Sequence, residues 1–446
     1  MTVGDIGTGR PDLLDILRQG IYQKTGLYDN PVSTQNLHWE DETVRSLVLG
    51  GISIALGLGA SVHLASAEDT IKIGVVAAES GAFVSAGHTL PAGISLAVKE
   101  INDAGGVKVG DKTLKIELIK RDDRTDISTA IAATQELVRD QKVAAIFGSE
   151  THDFTLAMTK ITQPAKVIQI AGNSTLAKIL NPQSVAPGGE DHYLFQSEPQ
   201  EFQRSGSTAR GVLSLLTPLV GHPLKKSVVI VGNDATGQFL TSYYVKALKA
   251  EGQEVPEVIS YPPDTTDFSP FLTRAKSLNP DVVHFWYNGD STLTALPQAL
   301  ELGVAPSYFL FGVDPGIWKE RGLSADVPVA MSCVPICWGE SSNANAKTYF
   351  KNYFAAGAPK GVTSSVSLLY YDYVHMLAEA WEKAGSTDPD KTVAALESLH
   401  HKGVVSDDLS FNKSHQVTHA TEVCAAAPGG DISCAMQQPP VEAPAE

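Results

Sequence analysis

The sequence is short of the motifs that announce catalysis. It holds no GxSxG, HExxH, phosphate-loop or CxxC pattern, so the usual nucleophile, zinc and nucleotide signatures are missing. The glycines of its first candidate loop, Gly81 and Gly87, do not make GxGxxG. Positive charge is also scarce. Against 50 Asp and Glu stand 34 Lys and Arg, a formal charge of −16. That balance argues against nucleic acid or an anionic membrane surface as a partner. Cysteine is confined to Cys333, Cys337, Cys424 and Cys434. Four cysteines allow three pairings. In an oxidising compartment the two local pairs are favoured, because short loops let their ends meet first; free buried thiols are the alternative. The spacing Cys333-x-x-x-Cys337 suits a metal poorly. His415-x-x-x-His419, near His400-His401, suits one better, but no strand or helix pattern there fixes the side chains. No metal and no cofactor are expected.

What the chain does have is apolar content: 43% of 446 residues, enough for two or more packed domains. Residues 1–43 fit no core pattern and read as a non-native or disordered extension. Residues 44–67 carry Arg45, an apolar run from Leu47 to Gly59 and the triplet Ala65-Ser66-Ala67. Charge, apolar stretch and A-x-A site are the parts of a secretory signal peptide, cleaved after Ala67 to leave Glu68 first. Leu47–Ala67 is about long enough to span a membrane, but its glycine and serine content and its cleavage site favour the signal. A signal placed behind 43 residues suggests that translation starts at Val44. No cysteine follows the cleavage site, so a lipoprotein anchor is not expected. N-terminal sequencing of the unprocessed precursor should begin at residue 44; any earlier residue would sink the internal start.

The stretch Ile71–Gly106 organises the rest. Ile71–Ala78 is an apolar, β-branched run suited to a strand buried on both faces. A small-residue loop follows, then Ile94, Ala97, Val98 and Ile101 at helical spacing, stopped by Gly105-Gly106. The same alternation continues. Strands are expected at Leu114–Lys120, Val143–Phe147 and Val167–Ile170, separated by helices. After an extended crossing near Tyr193–Ser197, a second series has strands at Val228–Gly232, Val255–Tyr261, Val282–Trp286 and Tyr308–Phe311. Strand and helix in alternation imply parallel sheets. The fold class is therefore α/β in two lobes. Lobe I is expected over 68–194 and 313–385, and lobe II over 195–312 and 386–426. Leu409–Phe411 reads as the last strand, and 427–446 as a flexible Pro/Ala/Gly tail.

Several pieces carry a resemblance: IKIGVV with SGAF and GHTLPAGISLAVKEINDAGGV, KIELIKRDDRTD, VVIVGNDATGQFL, PDVVHFWYNGDSTLTALPQALELG and LLYYDYVHMLAEAWEKAGSTDP. In that order and spacing they are similar to periplasmic solute-binding proteins of the branched-chain amino acid (Leu/Ile/Val) type, which serve ABC importers. The likeness covers roughly Ile71–Phe411. It implies the type I periplasmic binding protein fold, with three crossings between lobes that close on a ligand.

The resemblance also implies a site. The ligand's carboxylate would meet the loop after Phe147, with Thr151 and His152, and the loop Ala171–Ser174, with Ala171 and Asn173. Helix N-termini there suit an anion. His152 stands where the family often has serine, and Asn173 where threonine is usual. Asp314 matches the acid that pairs with an α-ammonium. Thr236 matches the loop that often holds an aromatic. Trp286, Tyr287 and Phe83 are the matching aromatics. Each has a plainer alternative: Asp314 precedes a proline and could shape a turn, His152 could be a solvated loop residue, and Trp286 and Phe83 could be core.

The expected function is that of a periplasmic, monomeric, non-enzymatic receptor. It captures an amino acid or related small solute for an ABC permease. The alternative is a sensor for amides or small aromatic and carboxylic acids on the same fold.

Overall fold

The computed structural model describes residues 70–440 apart from 82–83, 150–151, 173–179, 234, 263–264, 287–290, 342 and 362–363. The expectations for 1–43 and for the signal at 44–67 lie outside the described residues. Strand β1 (Thr70–Ala77) runs through the middle of the first sheet, and only its first residue is exposed. It pairs in parallel with β3 (Lys112–Asp122) on one side and β4 (Ala145–Phe147) on the other. The sheet order is β2-β3-β1-β4-β5-β6, with β2 at Val107–Val109, β5 at Ile168–Ile170 and β6 at Leu194–Phe195. Only β2 is antiparallel, in a hairpin with β3.

Helix α1 (Thr89–Asp103) buries Ile94, Ala97, Val98 and Ile101, the stripe expected from spacing. It ends where Gly105 and Gly106 take φ of 121° and 109°, values that L side chains rarely adopt. Helix α1 packs on the long helix of residues 367–384, here α10. At Gly93 the two come so close that an added Cβ would lie 2.1 Å from the Ser367 carbonyl oxygen. The other helices of this lobe are α2 (Ile127–Glu136), α3 (His152–Thr162), α9 (Ala344–Ala355) and α11 (Pro389–Leu396).

The second sheet has the order β13-β12-β11-β10-β9-β7-β8. Its strands are β7 (Ser227–Gly232), β8 (Val258–Tyr261), β9 (Val282–Phe285), β10 (Tyr308–Phe311), β11 (Val329–Cys333), β12 (Thr421–Ala426) and β13 (Ile432–Gln437). Strands β7 to β11 are parallel, and β12 and β13 are antiparallel. Around them lie α4 (Glu201–Val220), α5 (Ala235–Ala250), α6 (Ser269–Ser277), α7 (Ser291–Leu302) and α8 (Pro315–Glu320).

This topology corrects the expected boundaries. The return to lobe I is expected at 313, but Val313 and Trp318 belong to the second core and β11 pairs with β10. The chain therefore leaves the second sheet only after Cys333. Lobe II is expected again from 386, but α11 packs on α10. Leu409 and Phe411 make isolated bridges to His401 and Val417, not a strand. The expected tail at 427–446 contains β13. The sequence TEVCAA and its partner ISCAMQ are rich in small residues with weak strand preference. They become strands because the β11 edge and a disulfide between Cys424 and Cys434 hold them in register.

Gly93→Ala should push α1 away from α10 and cost about 1–3 kcal/mol. Urea denaturation of the variant checks this; an unchanged midpoint would mean that the helices do not meet there.

Candidate functional site

In open α/β sheets, small ligands sit outside the carboxyl ends of the parallel strands. Here those ends are Phe147 and Ile170 in the first sheet, and Phe285 and Phe311 in the second. Helix α3 starts at His152 just past β4. The half-buried His152 ring meets the Phe239 ring of α5 edge-on, with centroids 6.0 Å apart. An element of each lobe is thus in contact across the strand ends. Burial pushes the His152 imidazole down, and the positive charge of Arg204 adds to this. The neutral ring can serve as donor or acceptor.

The loop after β4 is braced from below. Ser149 donates its hydroxyl to Asp123 Oδ2 at 2.6 Å, and both residues are buried. Burial pushes the Asp123 carboxyl up, against the bonds from Ser149 and Thr125. The preceding Asp122 holds the first loop through the N–H and hydroxyl of Ser80. The Asp122 and Asp123 carboxylates thus fix the two loops beside the end of β3.

Ala171 follows β5 and is buried, and its N–H goes to the Phe195 carbonyl at 2.8 Å. Trp286 follows β9 and is 0% exposed. Its ring stacks on Tyr244 at 3.7 Å and lies 4.4 Å from that of Phe311. That is the packing of a core residue, although its indole N–H has no acceptor among the described residues. Thr236 lies in the first turn of α5. Phe83, Thr151, Asn173 and Tyr287 lie outside the described residues.

Asp314 follows β10 and opens α8. It is 1% exposed and caps α8, accepting the Gly316 N–H at 2.7 Å. The same carboxylate accepts the N–H groups of Trp338 at 2.7 Å and Gly339 at 3.0 Å. Burial pushes its carboxyl up to about 7, although the three N–H donors favour the charged form. The expected ammonium partner is thus engaged by the chain's own backbone.

Sequence reasoning passed over the triad Glu198, Glu201 and Arg204. Arg204 is 4% exposed, 3.2 Å from Glu198 Oε2 and 2.5 Å from Glu201 Oε2. Its guanidinium lies 5.3 Å above the centre of the Phe311 ring. The spacing of three between the charges was readable, but on a helix such a triplet usually marks a solvated face. The histidines weighed as metal ligands turn to separate partners: His400 to Asp408, His401 to Glu379, His415 to Glu397 and His419 to the Ala420 carbonyl. The one close group of donors among the described residues is Asp314 with Cys333 and Cys337. Those two sulfurs are joined in a disulfide, so they offer no thiolate.

Asp314→Ala should lower unfolding stability by about 2–4 kcal/mol, by uncapping α8 and leaving buried N–H groups unpaired. Denaturant titration checks it; an unchanged stability would mean that the carboxylate does not hold this loop.

Comparison with known proteins agrees with the architecture. Residues 70–431 match the model of the periplasmic binding protein family. Leu/Ile/Val-binding protein homolog 6 of Brucella melitensis is 26% identical over 384 residues, 84% of this chain and 93% of its own length. An amino acid binding protein of Pseudomonas aeruginosa is 26% identical over 352 residues, 78% of this chain and 87% of its own. Among solved structures, LivJ of Streptococcus pneumoniae in complex with isoleucine has a TM-score of 0.65 at 23% identity. It matches 83% of this chain and 100% of its own. A solute binding protein of R. palustris in complex with benzoate has a TM-score of 0.66 at 18% identity, over 84% and 99%. A family model that matches most of the chain establishes that it belongs to the periplasmic binding proteins.

Proposed function

We propose that this chain is the exported receptor of an ABC importer. It takes up an amino acid or a related small carboxylate between its lobes and hands it to a permease. The contact of His152 with Phe239 across the strand ends carries this reading. It joins the two lobes at the place where α/β sheets bind ligands, and hinge closure about a solute would tighten or open it. The Leu/Ile/Val-type relatives and the isoleucine- and benzoate-bound neighbours support a carboxylate-bearing ligand. With Asp314 turned to its own backbone, an ammonium is not required of that ligand. The receptor acts as a monomer, without cofactor, and returns its ligand unchanged. Export follows from the candidate signal at 44–67, with binding in the periplasm.

Thermal unfolding of the chain from Glu68 onward, against amino acids, amides and aromatic acids, tests this. A true ligand at one hundred times its dissociation constant should add about 2.7 kcal/mol. No stabilisation by any carboxylate would overturn the reading, as would chemical turnover of the bound compound.

A further inference from the structure

Two disulfides meet where the chain leaves the second sheet. Cys333 at the end of β11 is joined to Cys337, and Cys424 in β12 to its register partner Cys434 in β13. The two bonds touch, with the Cys337 and Cys424 sulfurs 3.4 Å apart. Neither sulfur carries a hydrogen, so this is a packing contact. The surrounding backbone holds it in place. Glu422 donates its N–H to the Pro335 carbonyl at 2.8 Å, and its carboxylate accepts the Cys337 N–H at 2.9 Å. The Ser341 hydroxyl donates to the other Glu422 oxygen at 3.2 Å. Access to the sulfurs differs. Cys337 and Cys424 are 0% exposed and Cys333 is 1% exposed, whereas Cys434 is half-buried on the outermost strand.

We propose that the four cysteines form a thiol–disulfide exchange site, in which an external dithiol opens Cys424–Cys434 and the surviving bond moves to Cys337–Cys424. A thiolate of the dithiol attacks the Cys434 sulfur, the one within its reach. The Cys424–Cys434 bond breaks, and Cys424 leaves as a thiolate. It already lies 3.4 Å from Cys337, and its attack there shortens this to the about 2.05 Å of a disulfide bond. That attack breaks Cys333–Cys337 and frees the Cys333 sulfur. The second thiol of the dithiol then attacks its own partner sulfur and releases Cys434. The two protons of the dithiol end on Cys333 and Cys434. One dithiol becomes a disulfide, one protein disulfide is lost and the other has moved.

Asp314 gives the exchange a direction. The Cys333 sulfur lies 3.4 Å from Asp314 Oδ2. A neighbouring carboxylate disfavours a thiolate there, and only a thiolate can attack in reverse. The original bonds close sequence separations of 4 and 10; the new one closes 87. It ties the loop that leaves the second sheet to the strand by which the chain re-enters it.

The test is brief treatment of the purified protein with limiting dithiothreitol, an acid quench, alkylation with N-ethylmaleimide, and peptide mapping without reduction. The expected two-thiol species has label on Cys333 and Cys434, with Cys337 and Cys424 joined. Label confined to one original pair would overturn the proposal. Cys434→Ser needs no reductant, because it leaves Cys424 as a resident thiol. Label divided between Cys424 and Cys333 is then expected, and label on Cys424 alone overturns the relay. If that variant fails to fold, the wild-type map decides.

Discussion

The pairing of Gln196 with Gln416 is the contact on which the two-lobed structure depends. It joins the segment leaving the first sheet to the segment approaching the second. Gln196 donates its N–H to the His415 carbonyl at 2.8 Å, and the Gln200 amide reaches the Gln416 side chain. The His415 ring stacks on Phe195 with centroids 4.1 Å apart, and its Nδ1 meets the Leu194 carbonyl. Buried backbone must find partners, and at this seam each crossing segment supplies them to the other.

Charge is buried close to this seam. Glu198, Glu201 and Arg204 lie within the first residues after the crossing and are almost wholly buried. Such a triad adds little net stability, because desolvation offsets attraction. Its geometric effect is firmer. The guanidinium is fixed over Phe311 at the end of β10, and its charge bears on His152 in the other lobe. Asp314 plays a similar part on the far side, gathering three N–H groups from α8 and the loop after β11. Carboxylates here organise backbone at the strand ends.

Much of the fold was legible because its signals are local. The apolar run at Ile71 and the helix ending at Gly105 follow from residues a few positions apart. Strands β12 and β13 were not legible. Their small residues carry no strong pattern, and their pairing with β11 is remote in sequence. The lobe boundaries differ for the same reason: nothing local to Val329–Cys333 says which sheet it joins. At the site, Asp314 before a proline was readable as a turn residue or as a ligand residue. Its bonds to Trp338 and Gly339 come from more than twenty residues away, so no local pattern announces them.

By itself the sequence determined the α/β class, the alternation of strand and helix, and the acidic, motif-poor character of a binding protein. These depend on short-range periodicity and on composition. Only the tertiary structure decided which strand neighbours which, which way Asp314 turns, and that two separate disulfides touch. Those depend on parallel pairing and on contacts between distant segments, for which no short window of residues holds the information.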